Sequence, residues 1–379
     1  MPIKRAYGHQ RIVYVHNAPI PSAAANSVQV AKMCDAFRRA GVPTILALPR
    51  GLAGTAQEIQ DQYGLLALPE VWTSAVLPLI GREIAFGIAV WLKYGKDRHT
   101  YFYTRSVSLA YTLARGNRNV VLELHGPSSQ MRPVLQRRLS ALVASNHLKH
   151  VVVISTALAR HFLQSFPILE GKLLVARDGA DVLKGPITAM TLSGAFKVGY
   201  IGQLYPGKGM ELISAIAPMC PNITFHVVGG TAETLDHWRR ALHDQRNIVL
   251  HGYVPHAETT PYLLAMDVMI APYARVVHGV GGDDMNLAEW MSPLKLFEYM
   301  GARKPIVTSD LPVIREFLSD GRNALLCDPD NVSAWVDSLE LYRSSPNLRS
   351  ELGRHAHEDF LEQYTWDQRA KLILHRLFS

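Results

Sequence analysis

The chain has few cysteines and no spacing that would make them metal ligands or redox partners. Of its 379 residues only three are cysteine, Cys34, Cys220 and Cys327, and they lie far apart without a CxxC pattern. Separated cysteines in odd number are typical of small buried side chains in a reducing compartment. The composition therefore favours a cytoplasmic protein.

Long apolar segments are also missing. The longest apolar stretch, residues 75–92, is interrupted by Pro78, Gly81, Arg82 and Glu83, which argues against a membrane span. The first residues contain no apolar region of the kind that a signal peptide needs. A hydrophobic content of 48% with 19% charged residues is typical of a soluble globular protein, and 379 residues favour two domains.

Charge is divided unevenly along the chain. Residues 1–185 contain 22 Lys and Arg against 10 Asp and Glu, a balance of +12, and residues 186–379 contain the remaining 17 against 22, a balance of −5. A basic first half predicts an anionic partner, either a membrane surface or a nucleic acid, or else an ordinary solvated surface. The sequence has no basic segment with interleaved stacking aromatics, so we expect no nucleic acid partner.

Strand and helix signals alternate throughout, which predicts an α/β protein with parallel, doubly wound sheets. The periodicity disappears around residues 184–194, where we place a boundary between a first domain of residues 1–185 and a second that starts at 186. Each domain should resemble a Rossmann fold. The predicted strands are residues 11–16, 43–48, 99–104, 119–124, 150–155 and 172–176 in the first half, and 196–201, 223–228, 248–250, 268–271 and 305–308 in the second.

A glycine-rich segment follows the first strand of the second half. Gly202, Gly207, Lys208 and Gly209 match the start of a phosphate-binding P-loop, but Gly209 stands where Ser or Thr would hold magnesium. A nucleoside triphosphatase is therefore disfavoured. Exposed amides and the charge of Lys208 still predict phosphate binding; the alternative is a glycine turn with a surface lysine. No GxGxxG motif follows a strand, which argues against a nicotinamide enzyme.

A carboxylate on an apolar helix is the most informative feature of the second half. Glu298 lies in the segment Ser292–Met300, behind a Ser-Pro turn and among Leu and Phe residues. An acid in such surroundings needs a partner.

The order and spacing of several segments across residues 196–340 resemble the donor-binding domain of retaining family 4 glycosyltransferases, which have the GT-B fold. The matching segments are Gly199–Gly202, Lys208–Gly209, Val227–Gly230, Val249–Pro255, Ala265–Val268, Pro293–Glu298, Glu316–Leu326 and, near the end, Tyr364–Ala370. The resemblance implies two Rossmann-like domains that face each other across a cleft. It also implies a donor domain of residues 186–361 and a C-terminal helix, about residues 362–379, that crosses back onto the first domain.

The resemblance implies a hexosyltransferase that uses a nucleotide-diphosphate sugar, with UDP or GDP as the nucleotide, and needs no cofactor and no obligatory metal. Glu298 would hold the ribose. Lys208 would contact the diphosphate, as would the amides of Leu294 and Lys295 just after Pro293. Lys295 would also add charge, unless its side chain is only solvated. Gly202 and Gln203 complete the expected donor-binding set.

The sequence departs from the family pattern at two positions of the donor site. The family usually has a first glutamate eight residues before the ribose-binding one, and here that position is Trp290, while Glu289 is one residue out of register. One residue on a helix corresponds to a turn of about 100°. Gln203 stands where a cation is usual. The identity of the sugar therefore cannot be carried over from the family.

In the first domain, the resemblance marks His125, at the end of a predicted strand, as a catalytic residue close to the sugar, together with Lys208. Asn26 and Ser27 follow the first strand and would contact the acceptor, or else cap a helix. Arg105 also follows a strand, and would either bind an anionic acceptor or form a structural ion pair.

The basic excess has a candidate location. Residues 131–143 contain Arg132, Arg137 and Arg138 and predict an amphipathic helix with cations on one face. With the apolar residues 76–80 and the segment 91–96, this helix would seat the protein on an anionic membrane, at its inner face. The alternative is a helix packed on the sheet.

The sequence therefore predicts a glycosyltransferase that acts on a glycan or lipid-linked acceptor in cell-envelope or exopolysaccharide synthesis. Two alternatives remain. One is a nucleotide-sugar epimerase or hydrolase of the same fold, and the other is a non-catalytic module that binds nucleotide sugars.

Overall fold

The computed structural model describes residues 7–75, 82–278 and 286–379, which form two compact units. The first unit contains the chain up to Arg177 and returns for Trp366–Ser379, and the second is Asp178–Thr365. The sequence placed the boundary later, at residue 185. Residues after 177 belong to the second unit because they bond to it: Asp178 N donates to Ser292 Oγ at 2.9 Å and Ala180 N to Tyr364 O at 3.0 Å.

Within the described residues, the first unit holds a seven-stranded parallel sheet in the order β3-β2-β1-β4-β5-β6-β7. Helices connect the strands. The elements are β1 Arg11–Val15, α1 Ala25–Arg39, β2 Thr44–Pro49, α2 Ala56–Tyr63, β3 Glu70–Ser74, α3 Arg82–Tyr94, β4 Thr100–Thr104, α4 Val107–Arg115, β5 Asn119–Leu124, α5 Pro133–Val143, β6 Leu148–Val153, α6 Thr156–Ser165 and β7 Leu173–Val175.

The second unit repeats this arrangement with a six-stranded parallel sheet, again counted over the residues described, in the order β10-β9-β8-β11-β12-β13. Its elements are β8 Lys197–Ile201, α7 Met210–Ile216, β9 Thr224–Val228, α8 Ala232–Ala241, β10 Ile248–Gly252, α9 Thr260–Ala265, β11 Val268–Ala271, α10 Leu294–Gly301, β12 Ile306–Ser309, β13 Leu325–Cys327, α11 Val332–Ser344 and α12 Pro346–Gln363.

The predicted strands are all present, and the doubly wound α/β class is confirmed. Two strands, β3 and β13, were not predicted. Each is the last strand at one edge of its sheet. Edge strands need no continuous apolar run, and β13 has only three residues, so the sequence carries little signal for either.

Strand order decides where a ligand can reach each unit. In both sheets the order reverses direction, between β1 and β4 in the first and between β8 and β11 in the second. Ligands of doubly wound sheets bind beyond the carboxyl ends of the strands at such a point. Val15 pairs with Thr104, which brings the next residues, His16 and Arg105, to the same edge.

The last helix of the chain, α13, spans Trp366–Phe378 and belongs to the first unit. Arg369 on this helix is 2% exposed, and its Nη2 donates to Glu123 Oε1 at 2.9 Å. Its Nε also donates to Arg177 O at 2.9 Å. One buried guanidinium therefore joins α13 to β5 and to the end of the first pass of the chain.

Replacing Arg369 by Met should destabilise the first unit strongly. Breaking a buried ion pair leaves Glu123 charged without its main cation, and typically costs about 3–5 kcal/mol. Urea unfolding of the full chain measures this loss. Arg376→Met, which removes an exposed arginine from the same helix, is the matched control and should cost less than about 1 kcal/mol. Equal losses would show that Arg369 is not the anchor of α13.

Candidate functional site

The segment between β8 and α7 has a backbone that only glycine permits at two places. Gly202 has φ +151° and lies against Lys295, so that a Cβ there would stand 2.8 Å from the ammonium nitrogen. Gly207 has φ +76°, and a Cβ on it would overlap the carbonyl oxygen of Val276. The glycines therefore let the segment approach both α10 and the chain after β11.

Lys295, on the first turn of α10, occupies this approach. Its Nζ lies 3.6 Å from the ring centroid of Tyr200 and 5.3 Å from that of Tyr273. The nitrogen is buried and has no hydrogen-bond partner among the described residues. Two aromatic faces attract a cation, but they do not satisfy its three N–H donors. The ammonium group can therefore donate to an acceptor that the described residues do not supply.

Electrostatics point to an anion as that acceptor. Burial lowers the pKa of Lys295 well below its usual value, and the nearby charge of Lys208 lowers it further, while Glu298 acts in the opposite direction. Burial also lowers the pKa of Lys208. Two buried lysines, one of which also loses stability of its charged form to the other, gain most from a ligand that carries negative charge.

Glu298 lies on α10, one turn after Lys295, and its partner within the chain is a histidine. His256 Nε2 and Glu298 Oε1 are 2.9 Å apart, and both side chains are about a quarter exposed or less. His256 follows β10 and Pro255. The sequence predicted that Glu298 needs a partner but did not identify His256. The pair leaves both groups accessible to a ligand that would bind the carboxylate.

The remaining donor-site residues lie around the same groups. Pro293 is the N-cap residue of α10, and Leu294 and Lys295 are its first two helical residues, as the sequence predicted. Gln203 follows Gly202, and its carbonyl oxygen accepts a hydrogen bond from Tyr200 Oη at 2.7 Å.

Trp290 and Glu298 do not lie on one helix, so the helical register that the sequence suggested between them is absent. Residues Leu287–Glu289 form a single 3₁₀ turn, and α10 begins only at Leu294. A rotation of about 100° between Glu289 and Trp290 along one helix is therefore the wrong description. The cause is Pro293, which favours the first positions of a helix and cannot continue one from upstream. Glu289 is exposed and Trp290 partly buried.

In the first unit, the end of β5 carries a buried acid beside the predicted histidine. His125 Nε2 lies 2.6 Å from Glu123 Oε1, and Glu123 is fully buried. Burial lowers the pKa of His125 to about 4, and Arg105 contributes in the same direction. The imidazole is therefore neutral at physiological pH.

The three predicted acceptor residues lie together at the start of α1 and the end of β4. Arg105 Nη1 donates to Gln29 Oε1 at 3.2 Å and to the carbonyl of Asn26 at 3.5 Å. Ser27 is buried, and its hydroxyl donates to Pro19 O at 2.9 Å. Neither Asn26 nor Ser27 caps α1, because the helix begins at Ala25 with Ala24 as its N-cap residue. Ser27 thus fixes the loop after β1.

The predicted basic face of α5 is only partly present. Arg132 and Arg137 are exposed, but Arg138 Nη1 donates to Ser108 Oγ at 2.7 Å, towards α4. Residues 76–80, the other predicted membrane segment, lie outside the described residues. Across the described parts of the chain, no helix is both long and apolar enough to cross a membrane.

Sequence reasoning missed four residues that the structure brings to these strand ends. They are His16, Glu123, His256 and Arg369. Glu123 carried the same signal as Glu298, since it is an acid inside an apolar segment. His16 is 4% exposed, and burial together with Arg105 lowers its pKa to about 3. His16 lies near Arg105 because β1 and β4 are neighbours in the sheet. The sequence alone does not give the order of the strands.

No group of three or more His, Cys, Asp or Glu side chains that would suit a metal ion occurs in residues 7–75, 82–278 and 286–379. The ionisable site groups described above are two lysines, two arginines, three histidines and two carboxylates. Their chemistry is that of anion binding and hydrogen bonding.

Part of the second unit is similar to known proteins. Residues 195–342 match the family model described as glycosyl transferases, group 1. The chain is also 24% identical over 176 residues to a poly(ribitol-phosphate) alpha-N-acetylglucosaminyltransferase of Staphylococcus aureus, a match covering 44% of this chain and 32% of that protein. It is 30% identical over 115 residues to a putative teichuronic acid biosynthesis glycosyltransferase, TuaH, of Bacillus subtilis, covering 30% of this chain and 27% of that protein. The matches thus span less than a third of either relative.

Solved structures resemble the whole chain. HepE of Anabaena, in complex with UDP and glucose, has a TM-score of 0.71 at 16% identity, covering 98% of this chain and 100% of that one. A variant of S. aureus TarM, in complex with fondaparinux, alpha-GlcNAc-glycerol and UDP, has a TM-score of 0.72 at 11% identity, with the same coverage of 98% and 100%. The chain has the GT-B fold of these proteins, and its second unit carries the segment that matches the group 1 glycosyl transferases.

Proposed function

We propose that the protein is a retaining glycosyltransferase of family 4. It would transfer a hexosyl unit from a UDP- or GDP-sugar to a glycan or lipid-linked acceptor in cell-envelope or exopolysaccharide synthesis. The match of residues 195–342 and the names of the two bacterial relatives support this class of reaction. UDP in the similar HepE and TarM structures supports a nucleotide-sugar donor.

The observation that carries the proposal is the buried ammonium group of Lys295. It lies beside Gly202 and close to Lys208, without a hydrogen-bond partner among the described residues. A diphosphate supplies both the negative charge and the acceptor atoms that this site lacks. The amides of Leu294 and Lys295 at the start of α10 add donors and a favourable helix dipole.

The other residues take roles that follow from this placement. Glu298 accepts hydrogen bonds from the ribose hydroxyls, and His256 orients its carboxylate. During transfer the bond between the sugar and the diphosphate breaks, and negative charge develops on the departing phosphate oxygen. Lys208 and Lys295 stabilise that charge without a metal ion. The acceptor oxygen forms its new bond to the sugar on the face from which the diphosphate leaves, and the hydroxyl proton passes to the departing phosphate oxygen. Within the first unit, His125 has the role of contacting a sugar hydroxyl.

Lys295→Met should lower the affinity for UDP without lowering the stability of the ligand-free protein. Met can occupy the space beside Tyr200 without burying an unpaired charge, so the ligand-free variant should be as stable as the wild type or more stable, by up to about 4 kcal/mol. Its affinity for UDP should fall about 10- to 100-fold, the usual effect of losing a charge-assisted hydrogen bond. Urea unfolding and calorimetric titration with UDP measure the two effects.

Lys304→Met is the matched control. The Lys304 ammonium is also partly buried but donates to the carbonyls of Leu264 and Met266 at 2.7 and 2.6 Å. This variant should lose stability and keep the affinity of the wild type for UDP. If both variants bind UDP equally, Lys295 is not part of the donor site.

The stability difference between Lys295→Met and the wild type should depend on pH. Because the pKa of Lys295 is lowered in the folded state, the unfolded chain binds its proton more tightly, and the lysine becomes more destabilising as pH falls from its unfolded pKa through its folded pKa. The advantage of the Met variant should therefore be larger near neutral pH than at about pH 10. Unfolding at a series of pH values measures it, and a constant difference would contradict the lowered pKa.

Glu298→Ala should weaken binding of the nucleotide sugar by about 10- to 100-fold, because hydrogen bonds to a charged group typically contribute about 1.5–3 kcal/mol. A thermal-shift screen of UDP-, GDP- and ADP-sugars identifies the donor first, since a ligand of the native state raises the melting temperature. The exposed Glu289→Ala should leave the shift unchanged. Near wild-type turnover by Glu298→Ala would refute the assignment of the ribose site.

The fate of the sugar distinguishes transfer from its alternatives. With the identified donor and candidate acceptors, a transferase attaches labelled sugar to the acceptor in the presence of EDTA, with its anomeric configuration retained. Free sugar in solution would indicate a hydrolase, and a changed donor sugar an epimerase. Donor binding without any turnover would indicate a binding module.

We also propose that the protein is cytoplasmic and binds through α5 to the inner face of an anionic membrane. Replacing Arg132 and Arg137 by Gln should reduce sedimentation with anionic vesicles roughly 10- to 30-fold, since each basic residue near such a surface contributes about 1 kcal/mol. Replacing the exposed Arg239 and Arg240 of α8 removes the same charge from the second unit and should have a smaller effect. Equal effects would exclude a specific role for α5.

A further inference from the structure

One fully buried carboxylate in the first unit collects four donors from four elements. Glu123 Oε1 lies 2.6 Å from Gln29 Nε2 on α1, 2.6 Å from His125 Nε2 after β5, and 2.9 Å from Arg369 Nη2 on α13. Its other oxygen accepts from the hydroxyl of Tyr103 on β4. Together these contacts fix the position of the carboxylate beside the ring of His125.

The carboxyl group of Glu123 is ionised. Burial by itself would raise its pKa, but the charge of Arg369 and the hydrogen bond with His125 outweigh burial and hold the pKa well below the usual range. An ionised carboxylate has no proton to donate and can only accept hydrogen bonds. The ring nitrogen that faces it must therefore carry a hydrogen.

The ionised carboxylate of Glu123 determines which ring nitrogen of His125 carries the proton. The charged groups around the ring are Glu123 on its own strand, Arg105 after β4 and Arg369 on α13, and burial together with the two arginines keeps the imidazole neutral. A neutral imidazole has one proton, and Glu123 requires it on Nε2. Nδ1 is left with a lone pair.

The His125 ring remains reachable by a ligand. Its side chain is 21% exposed, whereas Glu123 is completely buried. The strand end on which it lies is at the ligand-binding edge of a doubly wound sheet. A neutral ring with a free lone pair accepts a hydrogen bond from a hydroxyl group and does not attract an anion.

We propose that Glu123 is a positioning residue that holds His125 as the Nε2–H tautomer, so that Nδ1 accepts a hydrogen bond from a sugar hydroxyl. Arg369 and Gln29 keep Glu123 in place, which makes α13 a part of the site. The role of the sugar rests on the proposed glycosyltransferase function. The tautomer of His125 does not depend on that function, because it is a property of the ligand-free chain.

The first test is the nitrogen NMR spectrum of the histidines in the full-length, ligand-free protein near neutral pH, with His125 assigned from a His125→Asn sample. We expect the wild type to show the Nε2–H tautomer alone. Replacing Glu123 by Leu together with Arg369 by Met removes the acceptor that faces the ring without leaving a buried charge unpaired, and this double variant should give a mixture of the two tautomers. Asp35→Asn, which changes another buried acid of the first unit, should leave the His125 signal unchanged.

The second test is kinetic and uses the donor and acceptor identified above. His125→Asn places an amide oxygen near the position of Nδ1, and that oxygen needs no tautomer. The Glu123→Leu/Arg369→Met change should therefore lower kcat/KM about fivefold to tenfold in the wild-type background, the size expected for one hydrogen bond, and have little effect in the His125→Asn background. A purely structural role for Glu123 would give the same loss in both.

The outcomes of the two tests separate the positioning proposal from the proposed function. An Nδ1–H tautomer or an imidazolium in the wild type, an unchanged spectrum in the Glu123→Leu/Arg369→Met variant, or equal losses in both backgrounds would overturn the positioning role. A fixed Nε2–H tautomer that changes in the Glu123→Leu/Arg369→Met variant, in a protein that transfers no sugar, would support the positioning role and refute the transferase.

Discussion

Parallel strands end at the same edge of a sheet, and this constraint gathers the ionisable groups of both units. In the first unit the strand ends of β1, β4 and β5 carry His16, Arg105 and His125. In the second, the segment after β8 meets α10, where Lys295 and Glu298 lie. Because the carboxyl ends are also the open face of a doubly wound sheet, the groups that need a ligand are those that a ligand can reach.

The two units differ in whether a buried charge has hydrogen-bond partners among the described residues. Glu123 has a complete set of donors, and its burial is compensated by Arg369. Lys295 has two aromatic faces but no acceptor among the described residues. A satisfied buried charge gives rigidity to the groups around it, whereas an unsatisfied one reduces stability until a ligand binds. The first arrangement suits a residue that must be oriented, and the second suits a residue that must bind an anion.

Much of the fold could be predicted from the sequence, because it follows from short-range patterns. β-branched runs predicted the interior strands, and the start of α10 at Leu294 followed from the Ser-Pro turn. The edge strands β3 and β13 were missed, although the other two edge strands, β7 and β10, were predicted; β3 has only two apolar residues, Val71 and Trp72, and β13 only three residues in all. The supposed helical register from Trp290 to Glu298 was wrong, since Pro293 starts a new helix instead of continuing one. The placement of the chain after residue 177 was also missed, because it depends on distant partners such as Ser292 and Tyr364.

By itself, the sequence determined the α/β class and the two-unit organisation, and it marked Glu298, Lys208 and His125 as site candidates, because periodicity and local motifs are properties of neighbouring residues. Only the tertiary structure decided their partners. His256 lies 42 positions from Glu298, and Arg369 lies 246 positions from Glu123. It also decided that Lys295 is buried against Tyr200 and not solvated. Burial and charge pairing set the protonation of these groups, and both arise from contacts between segments that are remote along the chain.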